Sequence, residues 1–203
     1  MNRILIEGLD LTGKSTLAKS LVALDPNTFI YQKSLYSNNN ELYYETVKAS
    51  KTLNYSENVI AWMYIASAQL ELDLCKELKE SNQIVIQDSF FLNRMIGYHG
   101  VKNKEYLINV IKYYINQFEK PIQTFYLYTD IETKQKRFKE RLKEKKPAIG
   151  DKLIFEDKSL HEKREQIFRE FIMETYNAEF IDTSYLDKNE LTDMVYTRIR
   201  RKE

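Results

Sequence analysis

The chain has 203 residues, enough for one domain with a substantial core. Charged residues make up 30% of it but nearly cancel, leaving a net charge of +1 and no global basic field of the kind that draws nucleic acid. A single cysteine, Cys75, excludes an internal disulfide framework, fits a reducing compartment and reads as a small hydrophobe on a helix. No apolar run approaches the roughly 20 residues needed to cross a bilayer. The first residues lead straight into a core strand, leaving no room for a signal peptide. The expectation is a cytoplasmic protein that engages neither membrane nor nucleic acid.

In chain order, Ile4-Leu5-Ile6 reads as a buried strand, and Thr16 to Leu24 as a helix with Leu17, Leu21 and Leu24 at helical spacing. Pro26-Asn27 turns the chain into a second strand, Thr28 to Tyr31. Ser37 to Asn40 is a polar loop that caps a helix over about 41–49. A long helix runs from about Ser56 to Lys79, its apolar positions three and four apart. Ile84-Val85-Ile86 is a fully apolar third strand, followed by Gln87-Asp88-Ser89 and a loop with a short helix ending at Tyr98-His99-Gly100. A helix over about 104–118 precedes the fourth strand, Thr124 to Tyr128, which Pro121 introduces. Thr129-Asp130 then caps a strongly charged helix reaching toward Lys146, broken at Pro147 to Gly150. A further helix spans about 156–177, a fifth strand Ala178 to Ile181, and a last helix closes the chain. Strands alternating with helices imply an α/β domain with a parallel sheet covered on both faces.

Gly8 through Ser15 fit the phosphate-loop pattern G-x-x-x-x-G-K-[ST] without a mismatch, between a strand and a helix as that pattern requires. Gly8 and Gly13 let the backbone curl until successive N–H groups face one phosphate. The start of the next helix adds its unpaired N–H groups and positive dipole end. Lys14 would reach the β- and γ-phosphates, and the Ser15 hydroxyl would ligate Mg²⁺. Gly8, Gly13, Lys14, Ser15 and Thr16 thus form the expected ATP site. Asp88, at the carboxyl end of the third strand, is the expected second holder of Mg²⁺; the alternative is an ordinary loop aspartate.

Several segments together make the chain resemble the thymidylate kinases, of the nucleoside monophosphate kinase class. Ile6 to Asp10 with Gly13 to Thr16 is similar to their opening motif. Asp88-Ser89-Phe90 stands where the family has an Asp-Arg-aromatic triplet, and Tyr98-His99-Gly100 resembles its Tyr-Gln-Gly. Phe155-Glu156 and Ile181 to Ser184 resemble its C-terminal third. The resemblance implies a three-layer α/β/α fold over residues 1–203, a five-stranded parallel sheet in the order 2-3-1-4-5, and a helical lid over about 134–155. It places Asp10 and Tyr98 near the acceptor's sugar and Tyr64 against its base, although Tyr64 could equally be core on a long helix. It also implies a homodimer through long helices.

Three family arginines are missing: Ser89 replaces one, Ala68 another, and Tyr31 to Ser34 stands where an arginine-bearing loop should grip the acceptor's phosphate. Lys33 and Arg94 are the candidate replacements, because an incoming monophosphate needs cations beside it. The charged helix carries eight cations between Lys134 and Lys146, most of which read as a solvated face. Arg137 and Arg141 lie four apart on one side, and the phosphate loop has no arginine of its own, so these two are the expected catalytic cations with Lys14 and Asp10. The expected reaction is Mg²⁺-dependent transfer of the ATP γ-phosphoryl group to a (deoxy)nucleoside monophosphate. A deoxyribonucleoside kinase, which would need a carboxylate base, and a nucleotide sensor without turnover are the alternatives.

Overall fold

The computed structural model describes residues 2–33, 45, 55–77, 83–102, 105–144 and 157–201. Five strands, β1 (Arg3–Glu7), β2 (Phe29–Lys33), β3 (Ile84–Asp88), β4 (Gln123–Tyr128) and β5 (Ala178–Asp182), alternate with helices. The described helices are α1 (Lys14–Leu24), α2 (Glu57–Glu77), α3 (Phe91–Gly100), α4 (Glu105–Ile115), α5 (Ile131–Glu144), α6 (Lys158–Thr175) and α7 (Lys188–Arg200). Every strand pair is parallel, and the order is β2-β3-β1-β4-β5, as expected.

The alternation of side chains along a strand divides the core in two. Leu5 of β1 and Tyr126 of β4 face α2, α3, α4 and α6, joining Tyr64, Phe91, Ile96, Ile111, Phe168 and Ile172. Ile4, Ile6, Phe125 and Leu127 face α1 and α7, where Leu17, Leu21, Leu191 and Val195 cover them. A sheet covered on both sides has no solvated face, which is why β1 and β3 are buried at every position.

β1 and β3 run longer than their apolar cores suggest, because polar residues at their ends satisfy one another inside the protein. An Arg3 Nη1 group donates to Gln87 Oε1, and Arg3 Nη2 donates to the Glu119 carbonyl at 2.8 Å. Gln87 Nε2 in turn donates to Glu71 Oε1 at 3.0 Å. Buried polar side chains survive in a core when hydrogen-bonded in this way.

Helix starts follow their caps. Asp130 accepts from Thr133 N at 2.6 Å to open α5, Asp157 accepts from Leu160 N at 2.9 Å to open α6, and Asp187 with Glu190 forms a capping box on α7. Apart from residue 45, which is helical, the helix expected over about 41–49 lies outside the described residues, as do the break at Pro147 to Gly150 and the lid beyond α5. Among the described residues no helix is long and apolar enough to cross a membrane.

The register gathers the strands' carboxyl ends. Ile6 lies opposite both Asp88 and Phe125, and Lys33 lies opposite Asp88. β3 and β4 flank β1, so the strand order reverses there and the loop after β1 opens into the switch-point crevice where α/β sheets bind ligands.

Candidate active site

The loop between β1 and α1 is tightly wound. Gly8 has φ 139°, and a Cβ on it would stand 2.2 Å from the Leu127 carbonyl oxygen, so only glycine lets the loop leave β1 this close to β4. Leu11 and Gly13 also have positive φ, 66° and 96°. Thr12 Oγ1 and Lys14 Nζ both donate to the Leu9 carbonyl, at 2.9 and 2.6 Å, so the lysine arches back over its own loop. Burial lowers the Lys14 pKa, and the nearby Asp10 and Asp88 oppose that shift. α1 begins at Lys14 with Gly13 as a cap residue that offers no side chain, which leaves the first helical N–H groups for an anion. Ser15 and Thr16 are exposed on that first turn.

Asp88 is 5% exposed at the carboxyl end of β3, where its Oδ2 accepts from Tyr31 Oη at 3.1 Å. Lys33, the last residue of β2, is exposed beside it in the register.

Glu7, the residue before the loop, is fully buried and committed. Its carboxylate accepts from Ser89 Oγ at 3.0 Å, from Phe90 N at 2.8 Å and from Asn93 Nδ2 at 2.8 Å. Burial raises its pKa against those bonds. A second buried carboxyl, Glu71 of α2, accepts from Phe91 N at 3.1 Å, and burial pushes its pKa up to about 8. Two acids from different elements thus hold the start of α3. Sequence reasoning missed Glu71, although a signal existed: it stands four residues past Ser67 and seven past Tyr64, on the buried stripe of α2.

Held in this way, α3 brings Arg94 to the loop, and Arg94 Nη2 pairs with Asp10 Oδ1 at 3.1 Å. Burial acts to raise the Asp10 pKa, but Arg94, Lys14, Arg141 and Lys134 outweigh it and the net shift is downward. Asp10 is therefore a carboxylate at neutral pH.

On the other side of the loop, Arg137 of α5 donates from Nη1 to the Leu11 carbonyl at 3.0 Å and from Nη2 to the Thr183 carbonyl at 2.8 Å. Thr183, fully buried after β5, donates through Oγ1 to the Thr12 carbonyl at 3.1 Å and so ties that loop to the phosphate loop. Arg141 is exposed one turn beyond Arg137. A cleft of about 420 Å³ opens here, lined by Gly13, Thr16, Arg137, Arg141, Leu186 and Lys188.

Two expected acceptor residues stand differently. Tyr64 is 1% exposed and packs edge-on against Phe91, with ring centres 5.4 Å apart, so its ring is part of the core. Tyr98 lies on α3, but its side chain is outside the described residues.

A search of curated proteins finds no match to this chain. Among solved structures, the thymidylate kinase from Candida albicans, described as having broad substrate specificity, superposes with a TM-score of 0.73 at 19% sequence identity, covering 99% of this chain and 92% of that one. At that identity the likeness speaks for the fold. A family model, that of thymidylate kinase, matches residues 6–195, almost the whole chain. The chain belongs to the thymidylate kinase family and is a nucleoside monophosphate kinase, a phosphotransferase.

Proposed function

We propose that the chain transfers the γ-phosphoryl group of ATP to thymidylate or a closely related nucleoside monophosphate, with Mg²⁺, in the cytoplasm. The observation that carries this reading is the convergence of Lys14, Asp88 and the Asp10–Arg94 pair on the crevice after β1. The donor's phosphates would lie in the loop against Lys14 and the N–H groups of α1, with its nucleoside in the cleft beside Arg137 and Arg141. Arg137 braces Leu11 and Thr183, and the exposed Arg141 lines the same cleft one turn further along α5.

The Ser15 hydroxyl and the Asp88 carboxylate are hard oxygen donors, the set that suits Mg²⁺, which takes one or two carboxylates and completes its shell with water and phosphate oxygens. Mg²⁺ in such a site neutralises charge on the β- and γ-phosphates. Arg94, held by Asp10, would meet the acceptor's phosphate in place of the arginine that Ser89 replaces, and Lys33 would add a point charge from β2.

A monophosphate acceptor suits these residues better than a nucleoside. A hydroxyl nucleophile needs a base within reach. Glu7 is buried among three donors, and Asp10 is an ion-paired carboxylate of lowered pKa. A phosphate acceptor is already anionic, so transfer depends on positioning and charge. The exposed rings of Trp62 on α2 and Tyr113 on α4 support a homodimer through these helices.

The test is Lys14→Ala assayed with Mg-ATP and thymidine monophosphate. Transfer should fall by about 10²–10³ or more, as when a preorganised charge is removed from a transition state. The variant should melt within a few degrees of the wild type. Unchanged turnover would sink the site assignment.

A further inference from the structure

Asp88 is 5% exposed, yet among the described residues its side chain takes a single hydrogen bond, from the Tyr31 hydroxyl to Oδ2 at 3.1 Å. A buried carboxylate is ordinarily held by several donors or by a cation, as Glu7 is by three donors and Asp10 by Arg94. Lys33 stands directly opposite Asp88 in the register, but among the described residues no ion pair joins the two. One oxygen of Asp88 is therefore fixed, and the other, Oδ1, keeps its capacity to accept.

The sheet explains how a tyrosine of β2 reaches this carboxylate. Tyr31 is paired in register with Ile86, and Asp88 stands two residues further along β3. Side chains two apart on a strand share a face, so Ile84, Ile86 and Asp88 look the same way. Ile84 and Ile86 pack with Leu17 and Leu21 of α1, and Tyr31 packs against that same cluster. The phenol thus runs diagonally across the strand pair, a span that suits an aromatic side chain. It meets Asp88 on the side of the sheet where the first turn of α1 carries Ser15.

The chemistry of this donor suits a carboxylate that must serve a metal. A lysine or arginine bonded at Oδ2 would cancel the negative charge and compete with a divalent cation for it. A phenol is neutral, so it fixes the orientation of the carboxylate and leaves its charge in place.

We infer that Tyr31 is the positioning residue of the metal site: by holding Oδ2 it sets the Asp88 carboxylate so that Oδ1 is left to the shell of Mg²⁺. The inference rests on the assignment of Ser15 and Asp88 to Mg²⁺ under the proposed function. It gives β2 a part in the donor half through a residue that the phosphate-loop pattern does not mark.

The experiment is calorimetric titration of ADP into the full chain, once in excess EDTA and once in Mg²⁺. The ratio of the two dissociation constants reads the metal's contribution without any turnover. Tyr31→Phe keeps the ring in its packing and removes only the hydroxyl. It should leave the Kd for ADP in EDTA within about twofold of the wild type and weaken the Kd in Mg²⁺ by about tenfold, as loss of an outer-shell partner of a metal ligand does. Asp88→Asn should also weaken binding in Mg²⁺. The double variant Tyr31→Phe/Asp88→Asn should bind no more weakly than Asp88→Asn, because the hydroxyl acts through that carboxylate. An unchanged Kd in Mg²⁺ for Tyr31→Phe, an equal loss in EDTA and Mg²⁺, or additive losses in the double variant overturn the inference alone. A Tyr31→Phe chain that fails to fold overturns it too, by making the hydroxyl a stability group. If Mg²⁺ does not tighten ADP binding to the wild type, or Asp88→Asn binds as the wild type does, the assignment of Asp88 to the metal falls together with the inference.

Discussion

Asp10 and Arg94 show what single residues can and cannot reveal in a sequence. Asp10, at a variable position of the phosphate loop, could be named only because the resemblance implies a role for it, and the structure pairs it with Arg94. Arg94 could be named only as one of two candidate cations, since its use depends on the angle at which α3 leaves β3. That angle is set by Ser89, whose φ of 67° turns the chain, and by the bonds of Ser89, Phe90 and Asn93 to Glu7. Tyr64 shows the reverse case: a ring at the right place on a helix turns out to be core. If Arg94 grips the acceptor, Arg94→Met should raise the KM for thymidine monophosphate by about 10–100-fold, the worth of one hydrogen bond to a charged group. The KM for ATP should hardly move. Equal KM values for the acceptor in wild type and variant would remove Arg94 from the site.

At the scale of elements, strands and caps were readable because apolar runs and aspartates at helix starts act locally, as Asp130 does for α5. The strand ends at Arg3 and Gln87 were not, because their burial depends on a partner chain of hydrogen bonds through Glu71 from a distant helix. The same network makes the start of α3 sensitive to pH. The Glu71 carboxyl is pushed from its ordinary 4.5 up to about 8, mainly by burial, so the folded state keeps a proton that the unfolded chain has already released. Stability from this group is complete below pH 4.5 and is lost as pH rises through 8. Glu7 shifts the same way. His161, lowered to about 4, acts in the opposite sense, but only between pH 4 and 6.5. From pH 6.5 to 8 the melting temperature should therefore fall by about 3–8 °C. Glu71→Gln should flatten that slope, and a slope unchanged in the variant would place its origin elsewhere.

For the whole molecule, the alternation of strands and helices was enough for a two-faced parallel sheet, and the phosphate loop with its resemblance was enough for the strand order. The phosphate loop is one continuous stretch, Gly8 to Thr16, and its tight winding was readable for that reason. The proposed acceptor half would draw on Asp10 in the loop after β1, Arg94 of α3 and Lys33 at the end of β2, so no single window of sequence contains it. The central claim is that this assembled half takes a phosphate. It is tested most directly by comparing kcat/KM for thymidine monophosphate and for thymidine on the wild-type chain with Mg-ATP. A site whose charges need a phosphate partner should prefer the monophosphate by about 10³-fold or more. Thymidine used as well as its monophosphate, or turnover of neither, would contradict the account.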